Sequence, residues 1–266
     1  MTATDHPVVF IHGLWIHSTG WQPWQEYFED GGYTTYAPGW PGDVGTVELA
    51  RADSSRVANR GIDDVVSHYA AIVDELPASA ILVGHSFGGL IAQKLLGQGK
   101  AAAAVAIDAA QIKGVYRLPL SALRATWPVF KNPFNRRRSV MLTAKQFRYS
   151  FGNTVSDEES YSLWERWVVP SPVRPLFEAA MANLSRHSPA KVDTANPDRG
   201  PLLLIAGGED HTVPEVITKS TRKLYRKSPA ITDYLRFANR GHSLTIDSGW
   251  KEVAEGSRRW LEGQGL

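Results

Sequence analysis

Residues 78–96 read "ASAILVGHSFGGLIAQKLL". The first six are small or apolar and suit a buried strand. The last seven, "LIAQKLL" at 90–96, have helical spacing. Between them lies "GHSFGG" at 84–89, where three glycines surround Ser86. A plain turn needs only one. The pattern G-x-S-x-G, with a strand before it and a helix after it, puts a serine on a strained strand-to-helix turn. Its hydroxyl then stands exposed above the sheet edge. Gly84 and Gly88 have no side chain to obstruct the neighbouring strand and helix. The helix start adds a positive dipole end near the serine.

The same rhythm runs outward from this corner. Apolar or β-rich runs occur at 7–11, 33–37, 80–84, 103–108, 201–207 and 231–238. Helical patterns fall at 21–30, 62–76, 87–98, 215–227 and 248–263. Short strands buried on both faces, alternating with helices, predict a doubly wound α/β fold. Its mostly parallel sheet should have about six strands. Residues 111–195 break the alternation with prolines, aromatic residues and no convincing strand. Helical pieces are expected there at 119–127, 143–150, 156–167 and 172–185. So long a connection is not an ordinary loop. It reads as an inserted helical cap, with residues 1–110 and 196–266 as the core. The basic run "NRRRS" at 135–139 reads as a solvated lid surface, or else as a site for a substrate carboxylate.

Composition limits the chemistry. The 266 residues carry a net charge of +2, too weak to imply a nucleic-acid or membrane partner, so neither is expected. Cysteine is absent, which excludes disulfides, thiolate catalysis and cysteine metal sites. The first residues lack the basic and apolar regions of a secretory signal, and no apolar run is long enough to span a bilayer. A cytoplasmic location is therefore expected. A homodimer is compatible with this composition. No His, Asp and Glu cluster has metal-ligand spacing, and no phosphate-cradling glycine motif follows a strand, so no metal or cofactor is expected.

A serine hydroxyl needs a base, and the base needs an acid. His242, in "FANRGHSLTID" (237–247), follows the last strand. Asp210, in "LLLIAGGEDHTVP" (202–214), follows the fifth. Both should reach the edge where Ser86 sits, in the chain order Ser, Asp, His. Asp108, ending the fourth strand, is the rival acid, while Asp247 belongs with the next helix start. An oxyanion would meet two backbone N–H groups, one from Phe87 and one from Leu14 in the loop "IHGLW" (11–15), which Gly13 allows to approach closely. His12 in that loop reads as a structural residue.

Here the chain resembles the α/β-hydrolase superfamily, near the capped group of chloroperoxidase-like esterases, lactonases and C–C bond hydrolases. The resemblance rests on "HG" after the first strand, "GHSFGG", "GGEDHTVP" and "GHS", in family order across about 7–110 and 195–266. It implies a Ser–Asp–His hydrolase with a cap over its pocket. The family's usual N-terminal antiparallel strands are missing from the pattern. The reaction expected is hydrolysis of an ester or lactone of a small molecule. Carbon–carbon cleavage, perhydrolysis, and a ligand receptor on the same scaffold are the alternatives. The aromatic residues Trp127, Phe130, Phe134, Phe147, Trp164 and Trp167, with Trp15 of the oxyanion loop, suggest an apolar or aromatic substrate.

Overall fold

A computed structural model describes residues 5–266. Residues 1–4, which belong to the expected core range and to the reading of the N-terminal signal, lie outside the described residues. Six parallel strands form the main sheet: β1 (Val8–Ile11), β2 (Thr35–Tyr36), β3 (Ile81–His85), β4 (Ala103–Ile107), β7 (Leu202–Gly207) and β8 (Thr232–Phe237). Their spatial order is β2-β1-β3-β4-β7-β8.

The period of two along each strand sorts the core into two layers. Val8 and Phe10 of β1, with Ile81 and Val83 of β3, join Trp24, Phe28, Val253 and Leu261 on one face. Val9, Ile11 and Leu82 join Val65, Tyr69, Leu90 and Ile217 on the other. Helices α1 (Gln22–Glu29) and α10 (Trp250–Gly263) therefore cover the first face. Helices α3 (Ile62–Asp74), α4 (Phe87–Gly97) and α9 (Glu215–Leu224) cover the second. On α10 the buried positions Val253, Ala254, Ser257 and Leu261 trace a single stripe, as a helix packed on one side requires.

Register sets where the site lies. Ile11 pairs with Gly84, His85 with Ile107, and Ile107 pairs with Ile205. The segments that follow β1, β3, β4 and β7 consequently leave the sheet at one level, on its carboxyl edge. In open parallel sheets that edge is where ligands bind.

Between β4 and β7 come α5 (Leu120–Phe130), α6 (Ala144–Ser150), α7 (Asp157–Trp167) and α8 (Arg174–Ala180). Local sequence explains their starts. Thr143 and Gln146 form a reciprocal capping box for α6, and Ser156 caps α7 ahead of three acidic residues. This segment has no separate core. Val129, Phe147, Phe151 and Trp167 are continuous with the apolar layer on the α3–α4 side of the sheet.

Three local expectations change. The run at 33–37 keeps only two residues as strand, at the sheet edge. A strand pair inside 111–195, β5 (Ser139–Val140) with β6 (Ser171–Pro172), was too short to leave a periodic signal. Because Ser171 and Pro172 are extended in that pair, α8 starts only at Arg174, and it ends at Ala180, well short of 185. The short helix α2 (Val47–Ala52), capped by Thr46, packs Val47 and Ala50 on Val169. Its six residues lie in a loop-like composition that gave no warning.

Candidate active site

Ser86 stands between β3 and α4 with φ 56° and ψ −119°, a backbone conformation that costs a non-glycine residue on the order of 1–3 kcal/mol. The surrounding glycines allow the corner to close. A Cβ on Gly84 would collide with the Gly88 carbonyl, and one on Gly88 with the Ile11 carbonyl. One on Gly13 would lie 2.7 Å from the Ser86 Cβ, so that glycine lets the loop after β1 reach the serine. The turn is tied down by Ser86 N–H donating to the Ile107 carbonyl and by Ala110 N–H donating to the Ser86 carbonyl, both at 2.9 Å.

His242 and Asp210 meet at the same edge. Asp210 Oδ2 lies 2.5 Å from His242 Nδ1, and both side chains are fully buried. The other oxygen, Oδ1, accepts from the N–H groups of Thr212 (2.6 Å) and Val213 (2.8 Å). Burial pushes the Asp210 carboxyl up. The facing His242 ring and these hydrogen bonds outweigh it and hold the group below its ordinary value. His242 Nε2 is buried and has no partner among the described residues.

Two neighbours went unassigned in the sequence. The ring of His85 lies 4.6 Å from that of His242, and Phe151 is at the same distance on edge. Burial, then the nearby His242, pushes His85 well below the usual histidine range, so it is neutral. Its place inside G-x-S was visible in the sequence, but nothing there signalled Phe151. Asp108, the rival acid, is also here. Its Oδ1 accepts from Gly207 N–H at 2.7 Å, while no N–H or O–H donor reaches Oδ2 among the described residues. Donor atoms of Asp108, Asp210 and His242 lie within 4.8 Å of one another. Such a trio can clasp an ion, but here the Asp210 oxygens are taken by His242 and two N–H groups. Burial and the Asp210 charge push the Asp108 carboxyl well above the carboxylate range. Both effects thus favour the neutral form of the Asp108 carboxyl.

The loop after β1 holds its shape through His12 and Trp15. His12 Nδ1 donates to the Gly13 carbonyl, and its Nε2 accepts from Trp40 N–H, so both nitrogens are committed to structure. Trp15, at φ 69°, donates its N–H to Ser171 Oγ (2.6 Å) and its indole N–H to the Val140 carbonyl (3.0 Å). The β5–β6 pair thus clamps this loop. No described residue accepts from the N–H of Leu14 or of Phe87, the first residue of α4.

A cleft of about 730 Å³, open mouth included, adjoins Ser86, Phe87 and Trp15. Its far wall is α5 and α8, through Ala122, Phe130, Leu176 and Ala179, and its flank is Val213 and Ile217. No charged side chain lines it among the described residues. Trp127, Trp164 and Trp167 do not line it either, which corrects the expectation. Trp127 projects to solvent from the outer face of α5. Trp164 donates to the Leu142 carbonyl and stacks against the Arg51 guanidinium. Trp167 is buried in the packing of α7 onto the body. Trp164 and Trp167 thus serve the packing of this segment, and Trp127 serves neither packing nor the cleft. Accordingly, Trp167→Ala should lose about 3–5 kcal/mol of stability and leave the ratio of kcat/KM for two esters of different acyl size unchanged. A melting curve and both rate constants test this, and a shifted ratio with an unshifted melt would return Trp167 to the pocket.

Residues 8–256 match the model of the alpha/beta hydrolase family. A methylesterase from Arabidopsis superposes with a TM-score of 0.67 at 16% identity, covering 97% of this chain and 99% of its own. An extracellular alpha/beta-hydrolase from a Paenibacillus species gives 0.66 at 19% identity, with 94% and 97% covered. A pyrethroid hydrolase from Sphingobium faniae gives 0.63 at 16%, with 97% of each chain covered. No protein of curated function matches the sequence. With the family match running through every main-sheet strand, the chain belongs to the alpha/beta hydrolase family and is an enzyme of that class.

Proposed function

We propose that this enzyme cleaves a carboxylic ester or lactone of a small apolar or aromatic substrate through an acyl-enzyme on Ser86. The observation that carries this reading is His242. Its Nδ1 is fixed by Asp210, and its Nε2 has no partner among the described residues, at the same sheet edge where Ser86 borders an apolar cleft. Ser86 Oγ attacks the carbonyl, and His242 Nε2 takes the proton. The Asp210 carboxylate stabilises the resulting imidazolium. The N–H groups of Leu14 and Phe87 receive the oxyanion. His242 then protonates the leaving alcohol, and water repeats the sequence to free the acid.

The character of the cleft supports an apolar substrate class. Its lining is alkyl and aromatic apart from Ser86, Gln111, Thr126 and Thr212. A charged substrate group would lose its hydration there without a partner. Residues 111–195 serve as the cap over the core of 1–110 and 196–266, excluding water while the acyl-enzyme forms. The neighbouring folds named as a methylesterase and a pyrethroid hydrolase fit this reading.

The test is turnover of chromogenic esters of graded acyl length, with a fluorophosphonate to mark the nucleophile. Apolar acyl groups should be preferred over charged ones of equal size, and the label should sit on Ser86. Tight ligand binding without any turnover would favour a receptor instead.

A further inference from the structure

The net charge of the chain conceals a local imbalance. Residues 109–156 contain nine Lys and Arg and no Asp or Glu, so the rest of the chain is net acidic. Inside this stretch α5 is amphipathic in an unusual sense. Its buried positions are Ala125 and Val129, and Ala122, Thr126 and Phe130 face the cleft. The opposite stripe, Leu120, Leu123, Arg124, Trp127 and Lys131, follows the spacing i, i+3, i+4, i+7, i+11 and is exposed throughout. Leu120 is 83% exposed and Trp127 63%. Flanking the helix, Tyr116 and Phe134 are 78% and 77% exposed. Around them stand Arg117, Lys131, Arg136 and Arg137, none with an ion-pair partner among the described residues.

Scattered surface leucines need no explanation, but a helix face that mixes large apolar groups with unpaired cations does. We propose that residues 116–138 dock on an anionic lipid surface, with α5 lying in the interface plane. The apolar stripe enters the acyl boundary, and the arginines meet the headgroups. A second copy of the chain fits worse, because a two-fold contact would set this basic face against itself. Nucleic acid would match the arginines but leave the Leu and Trp stripe without an apolar partner. No helix among the described residues is long and apolar enough to cross a membrane, and surface docking needs none. Leu118 and Leu123 are at once exposed and part of the cleft wall, so the docked mouth opens toward the acyl chains. If the reading of the site as an ester hydrolase holds, a lipid-soluble ester reaches Ser86 from the membrane.

The experiment is co-sedimentation of the full chain with vesicles of phosphatidylcholine alone or mixed with phosphatidylserine, at low salt. Wild type should bind the mixed vesicles at least tenfold more tightly, and added salt should weaken the binding. Each Lys or Arg near an anionic surface contributes about fivefold. R136Q/R137Q should therefore lose about tenfold or more of that preference. Y116S/L120S should weaken binding to both vesicles by a similar factor, while turnover of a soluble short-chain ester stays at the wild-type level. Ser86→Ala should bind as wild type does, which separates docking from catalysis. Equal binding to both vesicles, or undiminished binding by either double variant, overturns the proposal. So does a wild-type dimer that Y116S/L120S makes monomeric, since the face would then belong to a second copy.

Discussion

Ser86→Ala is expected to lower kcat by about 10⁴-fold or more while the protein stays folded. The substitution removes the Oγ that would attack and keeps the Cβ, so packing against Gly13 and the loop after β1 is unchanged. The backbone strain at φ 56° is unchanged too, because alanine gains nothing there over serine. Glycine does gain. The pair φ 56°, ψ −119° lies in the mirror-image extended region that only glycine enters freely. Ser86→Gly should therefore be equally inactive but about 1 kcal/mol more stable than Ser86→Ala. This pair of variants separates two explanations of the strained corner. If strain exists to present a nucleophile, activity falls in both and stability rises only with glycine. A fluorophosphonate that labelled another serine, or full activity in the alanine variant, would falsify the assignment.

Much of this corner was legible because close packing there leaves few alternatives. Gly84 and Gly88 are required by backbone carbonyls in contact, and that requirement is written directly as G-x-S-x-G. The carboxyl ends of β1, β3 and β7 were legible for a similar reason. Buried parallel strands have continuous apolar runs, and the residues after them fall at one level once the register is set. The cleft wall was legible only in part. Trp15 and Phe130 were among the aromatic residues singled out and do line it, but Ala122 and Ala179 carry no chemical signature, and whether an aromatic residue of the 111–195 segment turns inward depends on how its helix sits. On α5, Phe130 lines the cleft while Trp127 is exposed, although the two rings are only three residues, about 60° of helix rotation, apart. Composition pointed to an apolar site, but so small a difference in helix phase is not written in the residue types. The basic imbalance of 109–156 was in the sequence all along. A sum over the whole chain cancelled it against acidic residues elsewhere.

Asp210→Asn should lower kcat by about 10⁴-fold, as removal of the orienting carboxylate does in serine proteases, whereas Asp108→Asn should cost less than about tenfold. The contrast follows from what each carboxyl does with its two oxygens. Asp210 Oδ1 accepts two N–H bonds, so the carbonyl oxygen of an asparagine would occupy that position. Its NH₂ would then face His242 Nδ1, which could only accept. The proton of His242 would move to Nε2, the atom that must be bare to receive the serine proton. The imidazolium would also lose its compensating charge. Asp108 differs because burial and the Asp210 charge already favour its neutral form. Its Oδ1 accepts from Gly207 N–H, and its carboxyl lies within 4.8 Å of Asp210. An asparagine there reproduces a neutral acceptor and a donor in the same shape. Asp108→Ala, which removes the donor and opens a polar void, should cost more than Asp108→Asn in both kcat and melting temperature. Steady-state kinetics on the three variants, with melting curves to exclude misfolding, decides the matter. The reverse ranking, with Asp108→Asn the more damaging, would move the acid to the end of β4 and leave Asp210 as its support.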